Sequence, residues 1–229
     1  MLHRGLSSSL LYSGPKSLAC LLLFLTLGAA AAQAQSNIKV LSLPGVRERG
    51  GDLDVMLKLR AIRILIPPSK TFFFLDKGEA YGITVEFARE FEKWINKRYA
   101  KKPYYIEVAL IPTRRDRLFQ DLAAGKGDIA AGNLTITPER SAIVDFANPG
   151  ARGVKEVLVT GPSAQSITAI ADLGGRQLTV RKSSSYHEHL LGLNKRLQDE
   201  NKPAIEIVAA DEALEDEDLL EMVGAGLLP

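Results

Sequence analysis

The sequence predicts an α/β protein of two lobes, each a parallel sheet covered by helices. Two observations carry that expectation. Strand-like and helix-like runs alternate between residues 61 and 134, the order that builds βαβ units. After residue 154 the alternation starts again with different wording, a repeat of architecture without a repeat of sequence. A third observation concerns what holds such a chain. Cys20 is the only cysteine and lies in a leader-like segment, so the rest has no disulfide and its stability must come from burial.

The elements are justified in order. "DLDVMLKLR" from Asp52 fits a short helix with Leu53, Met56, Leu57 and Leu59 as its apolar face. "AIRILI" (61–66) reads as a strand, and "TVEFAREFEKWINKRY" (84–99) as a helix whose apolar face is Phe87, Phe91, Trp94 and Ile95. "YYIEVALIP" (104–112) is a second strand, "RDRLFQDLAAGKG" (115–127) a helix with a glycine stop, and "DIAAGNL" (128–134) a third strand. In the second half "KEVLVTG" (155–161), "RQLTVRK" (176–182) and "AIEIVAA" (204–210) read as strands. Between and after them, "SITAIADLGG" is a short helix, 184–198 a helix with Leu190, Leu191, Leu193 and Leu197 inward, and 214–226 a last helix.

Residues 1–34 form a basic start (Arg4, Lys16), an apolar run from Leu18 to Leu27 and a small-residue end, Ala32-Gln33-Ala34. That order is a secretory signal peptide cut after Ala34, and the apolar run is shorter than the roughly 20 residues a membrane span needs. A flexible lead-in follows over 35–50, then one lobe over 51–150 and a second over 151–229. Two of the 29 Lys and Arg residues and none of the 27 Asp and Glu residues fall in the leader, so the remainder carries no net formal charge. Balanced charge argues against nucleic acid as a partner.

The chemistry concentrates at two strand-to-helix junctions. In "GNLTITPERSAIVDFANP" (132–149), Thr137 is placed to cap a helix, Pro138 suits its first position and Glu139 its dipole. Ordinary helix-start chemistry accounts for those three. Arg140 is different, because a cation in the first turn opposes the dipole unless its guanidinium reaches an anion. A solvated surface arginine is the alternative. In the anion-site reading, Thr135 aims its hydroxyl at the same point. The second junction, "TVRKSSSYHEH", offers Lys182, Ser183, Ser184 and Ser185. Serines there can simply cap the helix. Yet ligands of open α/β sheets bind beyond the carboxyl ends of strands, and both junctions are such ends. Facing one another, they define a cleft. Phe72, Phe73 and Phe74 follow the first strand, and at least one of them is placed to wall that cleft or to pack within its own loop.

Other chemistry is weaker. His187 and His189 point about 200° apart on a helix and cannot share one ion. Ser185 lacks a nucleophile elbow. The acid-rich run from Asp211 alternates with leucines and reads as a solvated helix face. No catalytic residue, metal site or cofactor is expected.

"LFQDLAAGKGDIAAGNLTITPERSAIVDFANP", with "YGITVEFAREFEKWIN" and "ADLGGRQLTVRKSSSY", resembles the family 3 periplasmic solute-binding proteins over roughly residues 55–229. "VRKSSSY" and "LEDEDLLEMV" are closer to a branch, the membrane-bound lytic murein transglycosylase F group, in which this module precedes a peptidoglycan-cleaving domain. The resemblance implies a two-lobe periplasmic-binding-protein-like fold that closes on a small carboxylate-bearing ligand, an amino acid or a peptidoglycan fragment. Thr135 and Arg140 would hold the carboxylate, with backbone from Asn133, hydroxyls from Ser184 and Ser185, and an aromatic from Phe72 or Phe74. Gly150 and Ala151 stand where an aromatic pair is frequent, and Ser183 where a glycine is frequent. The resemblance also implies a second lobe incomplete at the C-terminus, because Pro229 precedes the family's return to the first sheet and its ammonium-binding acid. On this reading the chain is periplasmic and not itself an enzyme. In the alternative it is the regulatory part of a lytic murein transglycosylase, whose parent protein would bring any membrane or outer-membrane association.

Overall fold

The computed structural model describes residues 48–229 apart from Ser163. The expected signal peptide and all but the last three residues of the lead-in lie outside the described residues. A short helix, α1 (Leu53–Leu59), leads into β1 (Ala61–Ile66). A hairpin follows, β2 (Phe74–Asp76) with β3 (Glu79–Tyr81), then α2 (Ile83–Tyr99) and β4 (Glu107–Pro112). A 3₁₀ turn at Arg115–Arg117 runs into α3 (Leu118–Ala123), β5 (Ile129–Ala130) and α4 (Pro138–Ser141). The second half holds a 3₁₀ turn at Ile170–Leu173, β6 (Gln177–Val180), α5 (Ser185–Asp199), β7 (Glu206–Ala209) and α6 (Asp216–Gly224).

Strand β1 is central in a parallel sheet of order β4-β1-β5, in register from Ala61 opposite Glu107 to Ile66 opposite Pro112. Parallel central strands are covered on both faces, which explains the near-continuous apolar run in "AIRILI". Arg63 interrupts that run and is nonetheless 0% exposed. It survives burial because Asp128, at the start of β5, receives its backbone N–H at 2.8 Å, its Nη2 at 2.8 Å and its Nε at 3.1 Å. Burial pushes the Asp128 carboxyl up, but the bonds from Arg63 and Arg49 outweigh it and hold the carboxyl below its ordinary value.

Helix α2 buries Thr84, Val85, Ala88 and Ile95 against the sheet. Phe87 and Trp94, expected inward, are 71% and 53% exposed. The three-stranded sheet contacts one stripe of the helix, and the smaller side chains at 85 and 88 occupy it. Both ends of α1 correct the expectation likewise: Met56 and Leu57 pack on the core, while Leu53 and Leu59 are exposed.

The second sheet is the parallel pair β6 and β7, in register from Gln177 opposite Glu206 to Val180 opposite Ala209. Leu190, Leu193 and Leu197 of α5 face it, whereas Leu191 points out. Residues 155–161, read from sequence as a strand, form none. Alternating valines favour an extended chain, but a strand also needs a ladder partner, and among the described residues none pairs with this stretch. The region from Ser166 condenses only to the 3₁₀ turn.

The hairpin β2–β3 was not expected from sequence. Lys77 and Gly78, both with positive φ, make its two-residue turn, and Phe74 stacks on Tyr81 across it at 5.8 Å. Gly82 then lets the chain pass the Phe72 backbone, since a Cβ there would lie 2.3 Å from the Phe72 carbonyl oxygen.

Candidate functional site

The first junction begins at Asn133, whose φ of 55° turns the chain out of β5. Thr137 caps α4, its hydroxyl accepting the Arg140 backbone N–H at 3.3 Å, and Pro138 takes the first position. Arg140, 7% exposed, aims its guanidinium away from its own helix. Nη1 donates to the Thr135 carbonyl at 3.2 Å and Nη2 to the Ser183 carbonyl at 3.0 Å. Nε donates to Glu188 Oε1 at 3.1 Å, and the guanidinium carbon stands 5.2 Å from the centre of the Phe119 ring. The anion it meets here belongs to the other lobe: Ser183 and Glu188 flank the start of α5.

At that second junction Ser184 caps α5, accepting the His187 N–H at 3.3 Å. Its own proton goes to the Arg181 carbonyl at 2.6 Å. Ser183 is held by Glu212, which accepts both its backbone N–H and its hydroxyl. Ser185 is buried and faces the space between the lobes.

That space is a cavity of about 300 Å³. Asn133, Thr135, Arg140, Ser184, Ser185 and Phe72 all line it, so six of the seven residues singled out in the sequence come together. Phe74 does not; it sits on the hairpin against Tyr81. Ser184 lines the cavity with its hydroxyl already committed to capping, which leaves Ser185 as the freer hydroxyl of the pair.

Sequence reasoning missed the other end of the cavity. Arg115, Arg181 and Glu215 converge there: Arg115 Nε donates to Glu215 Oε2 at 2.8 Å and its Nη1 to the Gly132 carbonyl at 2.8 Å. Arg181, 2% exposed, pairs with Asp216, donates to the Leu214 carbonyl and lies 3.7 Å from Glu215. Tyr186 bonds Asp216, and its own burial, with that carboxylate, pushes its hydroxyl up. The signal was available. Arg115 follows β4 and Glu215 follows β7, so the strand-end rule applied to those strands too would have found them. The acid run from Asp211 is therefore only partly a solvated face, because Glu215 is buried in this cluster.

Three arginines and the carboxylates 215–217 thus face one cavity between two sheets. Such a cavity presents guanidinium and carboxylate groups side by side, within a two-lobed α/β frame. Residues 62–225 match the family model described as bacterial extracellular solute-binding proteins, family 3, and the chain belongs to that family.

Among relatives, the L-cystine-binding protein TcyJ of Escherichia coli K12 is 28% identical over 115 residues, 50% of this chain and 40% of that protein. Membrane-bound lytic murein transglycosylase F of Desulfosudis oleivorans is 36% identical over 118 residues, 52% of this chain and 26% of that one. The chain thus matches less than half the length of either. Two solved structures share the fold. The ancestral amino acid-binding protein AncCDT-1 aligns with a TM-score of 0.56 at 24% identity, over 76% of this chain and 70% of its own. A putative L-cystine ABC transporter protein of Listeria monocytogenes aligns with a TM-score of 0.55 at 20% identity, over 73% and 66%. Among the described residues no helix is long and apolar enough to cross a membrane.

Proposed function

We propose that this chain is the receptor part of a periplasmic solute-binding protein, its lobes spanning 51–150 and 151–229 and closing on a small carboxylate-bearing zwitterion of the amino-acid class. One observation carries the reading: the buried Arg140 guanidinium reaches from the first lobe to the start of α5 on the second, inside the cavity. A guanidinium carries more donors than the three engaged here, which leaves N–H groups for a ligand carboxylate beside Thr135 and Ser185. Phe72 would cover the apolar part of the ligand, and Glu215 and Asp216 would face its ammonium group. L-Cystine and L-cysteine are the first probes, since relatives of this chain bind cystine by name.

The experiment is calorimetric titration of L-cystine, L-cysteine, L-arginine and a muramyl peptide into wild type and Arg140→Ala. At least a tenfold loss of affinity is expected for whichever probe binds wild type, roughly the value of one charge-assisted pair. An unchanged affinity removes Arg140 from the site.

The 36% match favours a second reading, in which the same cleft takes a peptidoglycan fragment and regulates a lytic transglycosylase domain in a longer protein. Binding of the muramyl peptide with silence from the free amino acids would select it.

A further inference from the structure

Helix α6 meets the first lobe along its acidic start. Glu215 holds Arg115, and Lys70 reaches Asp218 at 3.0 Å and Glu221 at 2.7 Å. Between these pairs, Glu217 Oε1 accepts the hydroxyl proton of Ser69 at 2.7 Å. Lys70 is exposed, and its pairs contribute little in water. Ser69 is different, being 7% exposed.

Ser69 also closes the loop that carries the cavity aromatic. Its backbone N–H donates to the Phe73 carbonyl at 2.8 Å and its carbonyl accepts the Phe73 N–H at 3.1 Å. Its hydroxyl oxygen accepts the N–H of Thr71 at 3.2 Å and of Phe72 at 3.1 Å. A serine hydroxyl has one proton and two lone pairs, so its rotor is fixed only when all three are used. The carboxylate of Glu217 supplies the third partner, and it comes from the other lobe. Burial pushes the Glu217 carboxyl up, yet the bonds from Ser69 and Thr71 outweigh it and hold it below its ordinary value, which keeps it an acceptor at neutral pH.

We propose that Glu217 is a positioning residue for the cleft: by gripping Ser69 it couples the approach of the second lobe to the placement of Phe72. With the lobes apart, the Ser69 hydroxyl gives its proton to water and the aromatic wall keeps only the bonds within its own loop. With them together, the wall is set by a residue that need not touch the ligand. The inference rests on the cleft reading above for its purpose but not for its test.

The test uses the full chain carrying Phe72→Trp and Trp94→Phe, so that the single tryptophan reports the loop. Lobe separation is read without ligand from spin labels at Lys97→Cys and Lys195→Cys, with Cys20→Ala. Glu217→Ala is expected to lengthen the separation and to shift the emission of the tryptophan at 72 to the red. Glu217→Gln, whose amide oxygen still accepts from Ser69, should restore most of both. Ser69→Ala should reproduce the emission shift and add nothing when combined with Glu217→Ala, and it carries the test if the Glu217 variant fails to fold. Constant emission while the lobes separate overturns the proposal, as does a Gln variant that behaves like Ala. Where L-cystine binds wild type, Glu217→Ala should weaken it about tenfold, the value of one hydrogen bond to a charged group. Failure of L-cystine, L-cysteine and L-arginine alike to bind wild type would sink the amino-acid reading and leave these ligand-free outcomes to decide this one.

Discussion

The two lobes share a device and differ in the sheet around it. In the first, Asn96 of α2 donates to the Ile106 carbonyl and accepts the Ile106 N–H, both at 2.8 Å. In the second, Asn194 of α5 does the same to Ile205 at 2.9 and 2.7 Å. Each asparagine thus satisfies the backbone just before a strand and pins helix to sheet. Around that common clamp the first lobe places β1 between two strands, with Ile62 and Ile66 at 0% exposure. Among the described residues the second has two strands, whose residues are half-buried or exposed. Identical local chemistry therefore sits in unequal cores, and a central strand, not the clamp, makes the difference.

Breaking the comparison should hurt the first lobe most. Asp128→Ala strands the buried Arg63 without its carboxylate and is expected to lower stability by about 3–5 kcal/mol in denaturant unfolding. The same pair predicts an acid response. Because the Asp128 carboxyl is held below its ordinary value, its contribution is present at neutral pH and down to the ordinary carboxylate range. It is lost as pH falls through the lowered folded value. The midpoint of unfolding should therefore drop on acidification in wild type and drop less in Asp128→Asn.

A smaller effect separates the cores themselves. Ile62→Ala and Leu197→Ala each remove a buried side chain, for about 2–5 kcal/mol. The first should lie toward the top of that range and the second toward the bottom, since the looser lobe can relax around the gap. Equal losses would refute the ranking of the two cores. Smallest are the clamps: Asn96→Ala and Asn194→Ala should each cost about 1–3 kcal/mol. Hydrogen exchange should speed at Ile106 in the one and at Ile205 in the other. Opening that spreads beyond the mutated lobe would mean the lobes do not unfold as separate units.

Much of this was legible beforehand, for reasons that differ by residue. The capping by Thr137 and Ser184 follows from residue type and position alone, because a cap is a contact within three residues. Arg140 was legible as an anomaly, a cation where a helix dipole rejects one, although the partner that answers it is Glu188, 48 residues away. Phe87 and Trp94 misled because hydrophobicity marks the faces of a helix able to be buried, not the stripe its neighbour reaches. The stretch 155–161 misled for a similar reason. Its side chains favour extension, but pairing is a property of two segments.

By itself, then, the amino-acid order determined the alternating α/β plan and the two polar junctions, and it marked Arg140 as out of place in one of them. These rest on periodicity and on bonds closed within a turn of helix. Only the tertiary structure decided which helical stripe is buried, that Ser184 spends its proton on its own loop, and that Arg115 finds Glu215 100 residues later. Those choices depend on two sheets coming together, and no local pattern encodes the distance between them.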